Sequence, residues 1–390
     1  MAGGMLAAAL AEHSLRILLV DAAAPPTMPQ GAADLRISAL TESSENLLRH
    51  TGVWPLMPTA RLQPYNSMDV RDGDGTGEVQ FSSEAVGVDH IGTLVENQVV
   101  AAALYQRCDD ASQVVWRNHC RVENIVRGAE GWQVTLGDGE TVCARLLVGA
   151  DGARSLVRGA AELTTAGRDT GHVAIVATLN TEHPHQQCAR QGFLDSGPFA
   201  LLPLFGDGHQ CSLVWSAWPT LADELMQLND ADFSARLTQA SQEWLGEITL
   251  ASERLAFPIQ DLHAGDYVTD GLALIGDAAH VIHPLAGQGI NLGLLDAAVL
   301  AEEIERALLA GRDWSALPVL QRYQRRRRGH NATMVSAMRA FKVLFEQRAP
   351  LIRFVRNSGM NLVNRHGLLK AAMVRQALGR NDDLPKKAML

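Results

Sequence analysis

One stretch limits the possible folds more than any other: Gly276-Asp277-Ala278-Ala279-His280, followed by Pro284, Gly287, Gln288, Gly289, Asn291, Gly293 and Asp296. It follows the apolar, strand-like run Leu272-Ala273-Leu274-Ile275, and an amphipathic helical pattern begins near Ile290. A carboxylate at the end of a strand, next to a glycine-rich turn that opens a helix, suits a polyol and a polarisable ring. The Asp277 carboxylate can accept hydrogen bonds from sugar-type hydroxyls. Main-chain N–H groups from Gly287 to Asn291, aided by the helix dipole, can face an electron-rich heterocycle.

Two further segments have the same character. Gly149-Ala150-Asp151-Gly152-Ala153-Arg154-Ser155, with Arg158 after it, follows the strand-like Leu146-Leu147-Val148. Near the start, a Gly3-Gly4-Met5 turn and a helix lead to Ile17-Leu18-Leu19-Val20-Asp21. In order and spacing these three segments resemble the FAD-dependent aromatic hydroxylases of the para-hydroxybenzoate hydroxylase type, over residues 1 to about 330. The likeness is strongest to the branch that hydroxylates polyprenyl phenols in ubiquinone biosynthesis. Asp34-Leu35-Arg36-Ile37-Ser38-Ala39-Leu40, Leu48-Arg49-His50-Thr51-Gly52-Val53-Trp54, Val95-Glu96-Asn97 and His280 to Gly289 carry it. The ending, Arg375 to Gly379 and then Asp383-Leu384-Pro385, looks most like members acting on 2-polyprenylphenol.

The resemblance implies an α/β fold with three parts. A Rossmann-like FAD-binding domain spans 1–70, 95–170 and 263–330, interleaved with an antiparallel-sheet substrate domain at 71–94 and 171–262. A basic helical region fills 331–390. Cofactor contacts are expected from Gly4, Asp21, Arg36, Asn97, Val122, Asp151, Gly152, Gly276, Asp277, Gly287, Gly289 and Asn291. Asp21 would bind the adenosine ribose, and Arg36 would lie beside the flavin and its phosphates. Asp151-Gly152 would touch both FAD and the nicotinamide donor. Pro284 and the Gly287 backbone would form the face where oxygen reacts. The implied reaction takes hydride from NADH or NADPH, forms a flavin hydroperoxide with O2 and hydroxylates a polyprenyl phenol. Two alternatives stay open: a related FAD oxidoreductase on another aromatic or isoprenoid substrate, and a non-catalytic subunit of a quinone-synthesis complex.

The opening departs from the pattern. A dinucleotide fold begins with a buried strand leading into its first glycine, whereas here Met1 already occupies that strand's end. The G-x-G-x-x-G register reads Ala2, Gly4, Ala7, with Ala2 where a tight turn calls for glycine. Without that strand, two neighbours would lack ladder partners. Either the natural start lies upstream, the reading favoured here, or FAD affinity and stability are impaired.

Secondary-structure signals fit this frame. Leu35 to Gly52 reads as an extended entry and a helix starting near Ser43 or Ser44. Gln80-Phe81 and the segment to Leu94 read as strands, and Asn97 to Cys108 as a helix. Val114–Trp116, Val122–Val126, Trp132–Leu136 and Val142–Val148 alternate like strands, with a hairpin at Gly137-Asp138-Gly139. Strands are expected within 173–216, helix over Leu221–Leu245, and mostly helix from Trp314 onward with breaks near Pro350 and Gly359. No internal repeat is apparent.

Composition narrows the class. Among 390 residues, 47% are hydrophobic and 20% charged, which suits a globular enzyme. No run reaches membrane-spanning length, and the start lacks the basic region of a signal peptide. Five scattered cysteines without a CxxC pair suggest reduced thiols and a cytoplasmic setting. His280 and His283 lack a further ligand at metal spacing, and His183, His185 and Cys188 read as a loop. No G-x-S-x-G elbow is present, and no aromatic interleaving supports nucleic-acid binding. The net charge of −9 hides an asymmetry: residues 321–390 carry +13 and the preceding 320 carry −22. The basic end suggests a peripheral contact with the inner membrane or with a quinone-synthesis complex; the competing reading is cross-pairing with the acidic body. The run Arg325 to Arg328 reads by default as a solvated helix face.

Overall fold

The computed structural model describes residues 1–73, 76–281, 289–347, 349–380 and 383–389. Its helices are α1 (Ala2–Leu10), α2 (Glu42–His50), α3 (Asn97–Asp109), α4 (Leu156–Ala160), α5 (Pro219–Gln227), α6 (Asp230–Ala240), α7 (Gly289–Leu309), α8 (Leu317–Glu346), α9 (Pro350–Arg365) and α10 (Gly367–Ala377).

The cofactor half is built on parallel strands in two pieces. Ile17–Val20 pairs in parallel with Val114–Arg117, and Leu147–Gly149 pairs in parallel with Leu272–Leu274. Helix α1 bridges the gap. A Cβ on Gly3 would fall 3.2 Å from the Ala150 Cβ and 3.5 Å from a Leu19 methyl, so Gly3 touches both pieces at once. All four residues of Ile17–Val20 are half-buried, as are Leu147 and Val148. These two strands stand in separate sheets. What holds the pieces together is the apolar body of α1, buried from Met5 to Leu10 against α7 and α3. At about 25 cal/mol per Å² of apolar surface, such burial stabilises the junction of the two pieces.

The second layer is a nine-stranded sheet. Its path runs His280–Val281, Leu255–Ala264, Thr165–Thr181, Gln210–Ala217, Gly197–Pro203, Cys188–Leu194, Ser67–Asp72 and Glu78–Ser82, with Ile248–Leu250 added to the long central strand. All pairings are antiparallel except Cys188–Leu194 with Ser67–Asp72. Alternation sends Ile175, Phe199, Leu213 and Trp215 to one face, under α5 and α6 with Phe233 and Leu237. The other face sends Ala200, Leu202 and Val214 toward Ile37, Tyr65 and Leu94 of a small sheet made of Ile37–Thr41, Gly92–Glu96 and Gln63–Tyr65. This is the helix-backed antiparallel sheet expected over 171–262; it reaches back to Ser67 and Thr165.

Three details differ from the sequence reading. The expected helix over Leu221–Leu245 is two helices, because Asn229 ends the first and caps the second by accepting a bond from the Asp232 N–H at 2.9 Å. Ser83–Val86 is a short 3-10 turn between strands rather than strand. Helix α9 runs straight through Gly359 and stops at His366, while the break before Pro350 is present. One glycine inside a helix costs about 1 kcal/mol, too little to break one held by tertiary contacts. The five cysteines are free thiols.

The chain's end returns to the cofactor half. Gly379, at φ +75°, sits against Ser43, whose hydroxyl donates to the Gly379 carbonyl at 2.9 Å. Arg380 pairs with Glu42, and Ala388 packs into the main core. The Ala377-Leu378-Gly379 and Leu384-Pro385 signature therefore clamps the start of α2.

Candidate functional site

The crevice begins at Leu272–Leu274, three fully buried residues that carry the chain into a 3-10 turn, Gly276–Ala278. Gly276 has φ +57°, a conformation that favours glycine. A Cβ there would lie 3.2 Å from the Ala2 Cβ and 3.7 Å from the Gly293 Cα. Three elements thus meet with almost no side chain between them: the first turn of α1, the 276–278 turn and the start of α7. The Met1 ammonium is within electrostatic reach of both Asp21 and Asp277, so the start of α1 is near both carboxylates. Desolvation pushes the Asp277 carboxyl above its usual range, against the pull of His280 and the ammonium; the side chain itself remains exposed.

Each expected residue has a definite place. Asp21 ends its strand beside the Val114–Arg117 connection, its carbonyl accepting from the Cys120 N–H at 3.0 Å and its carboxylate from the Ala23 N–H at 2.9 Å. Val122, half-buried, opens the next strand, so Asp21 and Val122 share one end of the crevice. Arg36 is exposed just before the Ile37–Thr41 strand, and its carbonyl accepts from the Asn97 N–H at 2.9 Å. The Asn97 side chain accepts from the Ser38 hydroxyl at 2.6 Å. Asn291 spans from α7 to Ile37–Thr41, donating to the Ala39 carbonyl at 2.8 Å and accepting from the Thr41 N–H at 3.1 Å. Both amides therefore tie elements together at the crevice. Gly289 is the first residue of α7, with open space where a Cβ would be. Pro284 and Gly287 lie outside the described residues.

Gly4, Asp151 and Gly152 also have local roles. Gly4 is buried, and a Cβ on it would be 3.1 Å from the Trp116 ring, so the glycine lets α1 pack on that side. The Asp151 carboxylate accepts from the N–H groups of Leu156 at 2.7 Å and Val157 at 3.2 Å, capping α4. Gly152, at φ +82°, makes the turn. Arg158 joins this turn to the crevice floor, donating to the Ala153 carbonyl at 2.7 Å and the Ala278 carbonyl at 2.8 Å.

The assembly is two carboxylates at strand ends with helix N-termini near them. The carboxylates suit hydroxyl donors; the helix ends suit phosphate and electron-rich ring atoms. That donor and acceptor set, with a glycine floor at Gly276, fits an extended dinucleotide. Comparison with known proteins agrees. A family model described as an FAD binding domain matches residues 1–338.

The chain belongs to the FAD-binding domain family.

Relatives of this flavoprotein align almost end to end. The 3-demethoxyubiquinol 3-hydroxylase of Escherichia coli (strain K12) is 35% identical over 380 residues, 97% of this chain and 96% of that protein. The ubiquinone hydroxylase UbiL of Rhodospirillum rubrum is 36% identical over 380 residues, 97% of this chain and 87% of its own length. Among solved structures, PqsL of Pseudomonas aeruginosa, described as a probable FAD-dependent monooxygenase, matches with a TM-score of 0.75 at 24% identity, covering 92% of this chain and 96% of that one. This likeness supports the fold. The flavoprotein is an FAD-dependent aromatic hydroxylase.

One feature of the candidate site was not visible as a unit in the sequence. Asp296, fully buried on α7, accepts four hydrogen bonds: from the Gly276 N–H at 3.0 Å, His280 Nε2 at 2.5 Å, Arg327 Nε at 2.7 Å and Asn331 Nδ2 at 3.0 Å. Burial alone would raise its carboxyl; His280 and Arg327 more than reverse this and hold it well below the usual carboxylate range. The network extends to Tyr267, whose hydroxyl lies 3.4 Å from Asn331 Nδ2 and 3.1 Å from His263 Nε2. It holds the 276–278 turn and ties it to α8. Asp296 stood in the motif, but Arg327 lay in a run read as a solvated face. The structure overturns that reading for two of the four, since Arg327 is 3% exposed and Arg326 pairs with Glu302, Glu303 and Asp383, while Arg325 and Arg328 are exposed. His183, His185 and Cys188 serve structure. His185 is buried, bonds the Leu204 carbonyl at 3.0 Å, and burial lowers its pKa. Among the described residues no group of His, Cys, Asp or Glu is arranged to hold a metal.

Proposed function

We propose that this enzyme hydroxylates the aromatic ring of a polyprenyl phenol in ubiquinone biosynthesis, using NAD(P)H and O2. What supports the reading most is the end-to-end likeness to hydroxylases named for ubiquinone substrates, together with a crevice whose two carboxylates and helix ends fit a dinucleotide. A third such relative, human ubiquinone biosynthesis monooxygenase COQ6, is 30% identical over 94% of this chain. FAD, when bound, supplies the two-electron chemistry that couples the nicotinamide donor to O2.

The chain's own part is to bind and orient. Asp21 and Asp277 accept hydroxyl hydrogens at the two ends of the crevice. The N-terminal ends of α1 and α7 present positive potential to phosphate and to the ring system. Asp296 and Arg158 hold the 276–278 turn in place. The apolar layer formed by Ile37, Leu94, Ala200 and Leu202 joins the small sheet to the large one. A phenol is already electron-rich, so positioning and a dry site are the main demands.

The test is to supply purified enzyme with NADH or NADPH, a short-chain polyprenyl phenol and isotopically labelled O2. One labelled oxygen should appear in the ring, with NAD(P)H consumed in step. Steady NAD(P)H oxidation that yields only hydrogen peroxide, across a panel of prenylated phenols, would overturn the substrate assignment while leaving the flavin assignment intact.

A further inference from the structure

Helix α9 is inside out. Its polar side faces the protein. Arg356, 6% exposed, pairs with Asp72 at 2.6 Å, and Asn361 and Asn364 accept from the N–H groups of Glu78 and Gln80 at 3.2 Å each. These asparagines cover the outer edge of the nine-stranded sheet, which would otherwise offer free ladder groups. The opposite side of the helix is apolar and faces outward: Leu351 is 73% exposed, Phe354 70%, Val355 60% and Leu362 53%. Their spacing at i, i+3, i+4 and i+11 makes one stripe. The stripe continues through Leu344 on α8 and Leu369 on α10.

The helix cannot bury this stripe by rolling inward, because that would strand Arg356 and break the asparagine bonds to the sheet edge. Charge indicates what covers it. From residue 347 to 380 the sequence has seven Lys or Arg and no Asp or Glu; of these, Arg356 is turned inward on Asp72 and Arg380 pairs with Glu42. A long apolar stripe with a purely basic surround, on a helix lying flat on the body, is the pattern of an interfacial helix on an anionic bilayer. The Arg325–Arg328 run is a weaker candidate, because Arg326 and Arg327 are taken up by Glu302, Glu303 and Asp296, and Arg328 lies 3.6 Å from Asp266.

We propose that the outer face of α9 docks this protein on an anionic lipid surface, with Leu351, Phe354, Val355 and Leu362 inserted among the acyl chains. The inference does not depend on the ring-hydroxylation reading, and binding can be measured without turnover. The flavin-loaded protein is floated with vesicles of phosphatidylcholine, with and without phosphatidylglycerol. Binding is expected to the anionic vesicles, weakened by molar salt but not abolished. Leu351→Asp with Phe354→Asp should reduce vesicle affinity about a hundredfold, at roughly tenfold or more per lost side chain; Phe354→Ser, the milder change, should reduce it about tenfold. Arg325→Gln should leave it unchanged. Absence of binding to anionic vesicles at low salt overturns the proposal, and so does binding that the α9 substitutions do not alter. Concentration-dependent self-association abolished by the same substitutions, without vesicle binding, also overturns it and gives the face to a second copy.

Discussion

Replacing Asp296 by Asn tests the buried network behind the Gly276–Ala278 turn. The change keeps the shape of the side chain but removes its charge and turns one acceptor into a donor. Four donors converge on this carboxylate: Gly276 N, His280 Nε2, Arg327 Nε and Asn331 Nδ2. In the variant at least one N–H meets another N–H, and the Arg327 guanidinium, 3% exposed, loses its counter-charge. Removing one partner of a buried pair typically costs about 3–5 kcal/mol. For a chain of this size that is roughly 4–6 °C in Tm. Arg327→Met should cost a similar amount for the mirror-image reason. The double variant Asp296→Leu with Arg327→Met should cost clearly less than the two single changes added, because neither charge is left alone. The pH dependence follows from the depressed carboxyl. Its stabilisation is complete above the unfolded value of about 3.9 and disappears as pH falls through the lower folded value, so Asp296→Asn should flatten the acid limb of the stability curve. Thermal unfolding followed by circular dichroism, with and without added FAD, measures all of this. Additive single and double variants, or an Asp296→Asn loss below about 1 kcal/mol, would refute the claim that the network acts as one buried unit.

Gly276→Ala places a methyl group at φ +57° and 3.2 Å from the Ala2 Cβ; a left-handed alanine costs about 1–2 kcal/mol, and equilibrium dialysis should show weaker FAD retention along with the lower Tm. Arg356→Ala leaves Asp72, 3% exposed, without its partner and unpins α9; about 3–5 kcal/mol of stability should go, with faster proteolysis around residues 347–366 as the readout. Burial pushes the Glu45 carboxyl up, but His90, Thr93 and Arg49 together bring it below its ordinary value, while Glu45 raises His90. The Glu45 share is present above about pH 4.3 and the His90 share below about pH 6.5, fading as pH rises through the raised value. The Tm deficit of His90→Gln should therefore be larger near pH 5.5 than near pH 9; an equal deficit at both would show that the charge of His90 contributes nothing.

Much of this was readable from the amino-acid order, and the reason is locality. The Gly276-Asp277 turn, the α1 start and the Asp151-Gly152 turn are each set by neighbours within a few residues, where glycine conformation and helix ends impose a pattern. Strand alternation likewise exposed the large sheet and its helix-covered face. The division of Leu221–Leu245 at Asn229 was missed because a side-chain cap competes with helical periodicity over the same few residues.

The sequence by itself determined the glycine turns and the carboxylates at the strand ends, because those depend on short-range spacing, and the resemblance those segments carry implied the cofactor class and the α/β plan. Tertiary structure alone decided how the charges are used. Arg327 and Arg326 sit side by side in one basic run, yet one is sealed against Asp296 behind the Gly276–Ala278 turn while the other joins Glu302, Glu303 and Asp383. Helical periodicity can sort α9 into a polar and an apolar face, but which face turns inward depends on an open sheet edge that lies some 280 residues earlier in the chain, at Glu78 and Gln80. Burial, which makes a charge costly and a partner necessary, is a property of packing between distant segments and has no local signature.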